Sequence, residues 1–148
     1  EAAVDTEAIV DPRRLIRFTV DRDSFDTTWL AKVKVDNNLL EQAINILLDN
    51  AAKYSFDRSV VSVFGGLTGG KRFHFTVSNT GLKIRPNEVK ECIKRGWRSD
   101  VARGVTAEGS GIGLWIVDYI MKAHGGDLII VPTRSDSLTE VKLVFPIT

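Results

Sequence analysis

Asn50, Lys53 and Tyr54 stand at i, i+3 and i+4, a spacing that gathers an amide oxygen, an ammonium and an aromatic ring on one helical face. A hard cation such as Mg²⁺ takes oxygen ligands, keeps several waters and uses one or two protein ligands beside substrate phosphates, so the Asn50 carboxamide suffices for it. Lys53 offers phosphate a point charge, and Tyr54 can cover a purine or close the edge of a cleft. The same residues also suit a solvated helix end with a core tyrosine, so this helix alone leaves both readings open. Much later, Gly109-Ser110-Gly111-Ile112-Gly113-Leu114 is a glycine-rich turn running into a helix, where unpaired backbone N–H groups meet phosphate oxygens. Together the two stretches have the parts of a split nucleotide site.

Those residues need two helices and a sheet to hold them. Leu40, Ile44, Leu47, Leu48 and Ala51 recur at helical spacing and predict a helix over 38–54, with Asn38 as N-cap and Glu41 three positions on. Residues 1–14 lack a clear period and read as a lead-in or linker. Leu15–Val20 and Trp29–Val35 read as two opening strands, and 59–64 with 72–78 as a hairpin around Gly65–Gly70. Pro86 opens a short helix through about Arg95, and 96–108, polar and aperiodic, reads as a mobile flap. A helix over 112–123 stops at Gly125-Gly126, followed by strands 127–131 and 138–145. Strands and helices mingle without strict βαβ alternation, which predicts an α+β two-layer α/β sandwich rather than a doubly wound sheet.

The 148 residues suit one core, and 20 basic against 19 acidic side chains give a net charge of +1, far from the balance of a nucleic-acid binder. Charge is concentrated locally: Lys83, Arg85, Lys90, Lys94, Arg95, Arg98 and Arg103 face only Glu88, Glu91 and Asp100, a cationic flap suited to a polyanionic small molecule. The single Cys92 makes no intrachain disulfide, and no long apolar run or export leader is present, so a cytoplasmic place without direct membrane contact is expected. The start at Glu1 without methionine suggests a piece of a longer protein. Gly65–Lys71 mimics a P-loop, but Arg72 replaces its Ser/Thr and a strand pattern follows where a helix is required. His74 and His124 lack partners at zinc-ligand spacing and read as structural.

Leu40–Ser55 resembles the asparagine box of sensor histidine kinase catalytic domains, part of the GHKL or Bergerat-fold ATPase group. The resemblance implies a mixed, mostly antiparallel sheet covered on one face by about three helices. It makes residues 15–148 an ATP-binding catalytic domain with a lid at about 85–109. It implies that Asn50 holds Mg²⁺ and that Lys53 touches phosphate, with Tyr54 beside them. A second family asparagine, one turn earlier, falls on Ile46. Some relatives carry there the glutamate that activates water, so hydrolysis by that route is disfavoured here. Val77–Ile84 resembles the first glycine box, with Asn79 in place of its aspartate and Lys83 in place of its second glycine; Asn79, Gly81 and Ile84 then frame the base. An amide can turn its NH₂ toward guanine O6 where a carboxylate repels it, so relaxed base selectivity is expected. Ile93–Ser99 is similar to the phenylalanine box, with Trp97 as the aromatic and Arg98 reaching phosphate. Gly109, Ser110, Gly111, Ile112, Gly113 and Leu114 match the second glycine box without departure.

The implied function is that of the ATP-binding catalytic domain of a two-component sensor histidine kinase. It would bind Mg²⁺ and ATP and pass the γ-phosphate to a histidine on a separate dimerisation and phosphoacceptor domain of the same protein, with a response regulator downstream. No catalytic residue is then self-contained in this chain. A degenerate nucleotide-binding pseudokinase module and an anti-sigma-type serine/threonine kinase are the alternatives.

Overall fold

The structure is a computed structural model that describes residues 4–11, 13–26, 32–69, 71–94, 113–134 and 136–147. Six strands form one sheet: β1 (Val4–Asp11), β2 (Ile16–Asp21), β3 (Val60–Thr68), β4 (Arg72–Thr80), β5 (Asp127–Val131) and β6 (Leu138–Pro146), in the spatial order β1-β2-β3-β4-β6-β5. Every neighbouring pair is antiparallel except β2–β3. The parallel pair is joined by a long crossover containing α1 (Arg22–Asp26) and α2 (Asn37–Tyr54), as parallel geometry requires. A 3₁₀ turn (Pro86–Glu88), α3 (Val89–Cys92) and α4 (Gly113–Ala123) complete the described elements.

Period-two alternation turns Ile16, Val61, Val63, Val77, Leu143 and Phe145 to one face of the sheet, where they form a core with Ala43, Leu47 and Ala51 of α2 and Val117, Ile120 and Met121 of α4. Phe25 of α1 packs on the same face, its ring centroid 6.4 Å from Phe73 and 6.0 Å from Phe75. Helices therefore cover one face, as a two-layer sandwich demands.

The expected hairpin is present, but its strands run longer on both sides of a tighter turn. Gly65 and Gly66 lie inside β3 because rings press on them: a Cβ would sit 2.5 Å from Phe25 Cε1 at Gly65 and 2.6 Å from His74 Nε2 at Gly66. They serve packing, which disposes of the P-loop resemblance.

Three expectations are corrected. The segment expected as a lead-in over 1–14 contains β1, whose alternation is broken by register shifts between Val4 and Glu7 and between Ile9 and Asp11. The second expected opening strand, Trp29–Val35, is not a strand over its described part from Lys32; Val33 and Val35 pack against the core without a sheet neighbour, and residues 29–31 lie outside the described residues. The N-cap of α2 is Asp36 rather than Asn38, its Oδ1 accepting the Leu39 N–H at 3.0 Å.

The two histidines have structural partners. His124 Nδ1 lies 2.7 Å from Ile120 O while Nε2 accepts the Asp36 N–H at 2.9 Å, so a Nδ1-protonated ring ties the end of α4 to the start of α2. His74, on the sheet face away from the helices, contacts Thr76 Oγ1 at 3.2 Å. Burial, then nearby Lys142, lowers its pKa from the ordinary imidazole value, with Glu140 opposing. Among the described residues no cluster of His, Cys, Asp and Glu suits a metal, and no helix is long and apolar enough to cross a membrane.

Candidate functional site

An α-helix leaves its last carbonyls without intrahelical partners, and each must find a donor. In α2 that last turn carries Lys53 and Tyr54, with Asn50 just before it, and its carbonyls are all accounted for. Ala51 O accepts from the Ser55 N–H at 3.1 Å and from the Ser55 hydroxyl. Ala52 O and Lys53 O accept from Arg14 Nη1 at 2.9 and 3.2 Å. Tyr54 O accepts from the Leu82 N–H at 2.9 Å. The helix end is thereby fixed to two other parts of the chain, while Asn50, Lys53 and Tyr54 remain half-buried. Among the described residues, no hydrogen bond or ion pair engages the Asn50 carboxamide or the Lys53 ammonium.

The start of α4 meets this face of α2. A Cβ on Gly113 would lie 3.1 Å from Ile46 Cγ2, 3.6 Å from Asn50 Nδ2 and 3.8 Å from Asn50 Oδ1. Glycine lets the N-terminus of α4, the positive end of its dipole, approach the amide closely. Ile46 is spent on the apolar side of that contact, which gives a packing reason for a hydrocarbon where an asparagine was looked for. Of the second glycine segment, Gly113 and Leu114 are placed; Gly109, Ser110, Gly111 and Ile112 lie outside the described residues, as do Trp97 and Arg98. The described part of the expected lid, from Arg85, begins with the 3₁₀ turn and α3, the Arg85 N–H donating to Glu88 Oε1 at 3.3 Å.

The third part of the site is the end of β4. Gly81 forms a bridge with Ser55, and Phe56 N–H donates to Thr80 O at 3.0 Å. A Cβ at Gly81 would fall 2.8 Å from Ser55 Cα and 2.9 Å from Tyr54 C, so only glycine allows this backbone crossing. Asn79, 8% exposed, is directly cross-strand from Thr139, 4% exposed. Thr139 Oγ1 lies 2.6 Å from Thr133 Oγ1, which accepts the Ile84 N–H at 2.6 Å, and the Thr133 N–H donates to Ile84 O at 2.9 Å. Asn79, Gly81 and Ile84 thus share one corner with Thr133 and Thr139. Sequence reasoning missed the two threonines, although Thr139 left a signal: it interrupts the inward series Val141, Leu143, Phe145 with a hydroxyl. Lys83 is exposed and is not among the described non-glycine residues with positive φ, which are Leu15, Arg58 and Ser137. No glycine is needed at that position.

Three pieces remote in sequence therefore converge: the amide-bearing end of α2, the glycine start of α4 and the buried polar corner of β4. Residues 35–148 match the family described as histidine kinase-, DNA gyrase B-, and HSP90-like ATPase. The chain belongs to this ATPase family. The ATPase domain is 34% identical over 96 residues to the sensor histidine kinase YkoH of Bacillus subtilis, covering 65% of this chain and 20% of that protein. It is 32% identical over 133 residues to the sensor protein CzcS of Cupriavidus metallidurans, covering 88% of this chain and 26% of that one. The solved mycobacterial sensor histidine kinase MprB superposes with a TM-score of 0.67 at 30% identity, over 78% of this chain and 74% of that structure. The matched region thus spans between about a fifth and a quarter of the length of these two sensor proteins. The ATPase domain has the α/β sandwich of the histidine kinase ATP-binding domains that it resembles.

Proposed function

We propose that this domain binds Mg²⁺·ATP between α2, α4 and the β4 corner and presents the γ-phosphate to a histidine on a dimerisation and phosphoacceptor domain of the same protein, with a response regulator receiving it next. The observation that carries this reading is the approach of Gly113 to Asn50, which sets a helix N-terminus beside an amide without a partner among the described residues. The Asn50 oxygen fits a hard cation that draws its other ligands from phosphate and water, and Mg²⁺ held there would neutralise phosphate charge. Lys53 meets phosphate as a point charge, and Tyr54 lines the cleft. Asn79, Gly81 and Ile84 hold the base. Arg98 and the backbone of Gly109, Ser110, Gly111, Ile112, Gly113 and Leu114 complete the phosphate side.

Transfer breaks the bond between the γ-phosphorus and the bridging oxygen as one forms to a neutral imidazole nitrogen; this domain's contribution is position and charge. Ile46, packed on Gly113, offers no base for water, so phosphate is kept for the protein acceptor. The same contact favours a second reading, a nucleotide-binding module that has lost transfer. A transfer assay with a matched acceptor domain separates the two, and binding itself is read by unfolding. At about a hundred times the dissociation constant, Mg²⁺·ATP adds roughly 2.7 kcal/mol of stability. No shift at any concentration would sink both readings.

Asn79 makes a second expected result specific. Asn79→Asp replaces an amide that can present either end with a carboxylate that only accepts, so ATP affinity should rise by about 1 kcal/mol and GTP affinity should fall. Competition between the two nucleotides reads the ratio directly. An unchanged ratio would place the base elsewhere.

A further inference from the structure

We propose that Arg14 is a positioning residue for the nucleotide site, setting the last turn of α2 and with it Lys53 and Tyr54; this rests on the reading of that site given above. Arg14 lies in the turn between β1 and β2, far from α2 in sequence, yet its guanidinium spans the helix end. Nη1 donates to Ala52 O and Lys53 O, Nη2 donates to Ser55 O, and Nε donates to Asp57 Oδ1 at 2.8 Å. One planar fork thus covers two carbonyls of the terminal turn and one just beyond it, with a cation where the helix dipole is negative.

The base of this arm is held as firmly as its tip. Arg58 N–H donates to Arg14 O at 2.8 Å, and Ile16, two residues on, is wholly buried in the core. Asp57 orients the fork from the side, and Arg14 itself is 30% exposed, so water can reach its place when it is removed. Water would satisfy the carbonyls without fixing their direction, and the turn would fray. Asn50 lies one turn deeper and would be disturbed least. Lys53 and Tyr54 lie within the frayed turn, so the expected deficit falls on phosphate affinity.

The test compares the two ends of one helix. Asp36→Ala removes the N-cap of α2, where no site residue stands, whereas Arg14→Ala removes the C-terminal fork. Titration of the 148-residue chain with Mg²⁺·ATP should give a dissociation constant about tenfold weaker for Arg14→Ala, a smaller loss for Arg14→Lys, whose ammonium lacks the fork, and the wild-type value for Asp36→Ala despite its lower Tm. Wild-type affinity in both folded Arg14 variants would overturn the proposal. So would an equal loss in Asp36→Ala, which would make the effect one of general helix stability; should Arg14→Ala fail to fold, Arg14→Lys against Asp36→Ala decides alone. A wild-type chain that binds no Mg²⁺·ATP would instead bring down the nucleotide reading and Arg14's role with it.

Discussion

Gly81→Ala is expected to cost about 3 kcal/mol of stability, the upper part of the range for overpacking a fixed site. The added methyl would lie 2.8 Å from Ser55 Cα and 2.9 Å from Tyr54 C, and both are backbone atoms that no rotamer change can move. They are further pinned by the Leu82-to-Tyr54 and Phe56-to-Thr80 hydrogen bonds, so relief requires parting α2 from β4. That seam lies between the phosphate side and the base corner, and nucleotide affinity should fall together with the denaturation midpoint. Gly69→Ala supplies the contrast: its φ is +59° but nothing lies within 4 Å, so it should cost only about 1 kcal/mol and leave nucleotide binding alone. Urea unfolding of the two variants checks the difference. Equal midpoints would mean that the seam is looser than its geometry implies.

The parts of the fold legible in the sequence are those in which one local pattern and one tertiary role agree. Leu40, Ile44, Leu47 and Ala51 mark the buried stripe of α2 because a helix against a sheet must show that period, and β4 alternates because Phe73, Phe75 and Val77 turn to the one face that packs on the core. Where tertiary contact decides, the pattern misleads. Val4–Asp11 pairs on one side only and carries two register shifts, so its alternation is scrambled; Val33 and Val35 alternate for packing without any ladder. Gly65 and Gly66 imitate a phosphate loop because two aromatic rings need their space.

The candidate site divides the same way. Asn50, Lys53 and Gly113 are readable because side-chain chemistry and helix geometry are local properties. Arg14 and Thr133 are not, since each acquires its role from a hydrogen bond to a distant segment. In sequence Ile46 stands where the family's second asparagine would fall; in the structure it makes a close apolar approach to Gly113 that local pattern could not show.

Asn50→Ala should remove the Mg²⁺-dependent share of nucleotide affinity, a loss of about a hundredfold, or roughly 2.7 kcal/mol. The carboxamide is half-buried with no described hydrogen-bond partner, so its truncation strands no other polar group and the variant should fold with near wild-type stability. The reading is clean when unfolding is followed with ATP in excess Mg²⁺ and again with the metal chelated. Wild-type protein should show two separated curves, and Asn50→Ala a single one lying near the chelated wild type. Asn50→Asp keeps an oxygen for the cation while setting a negative charge beside phosphate, so it should retain metal dependence at weaker affinity. A full Mg²⁺ increment surviving in Asn50→Ala would move the cation off α2. The facing of Gly113 and Asn50 would then be a packing contact, and the triphosphate would have to be sought along the cationic stretch that includes Lys83, Arg85 and Lys90.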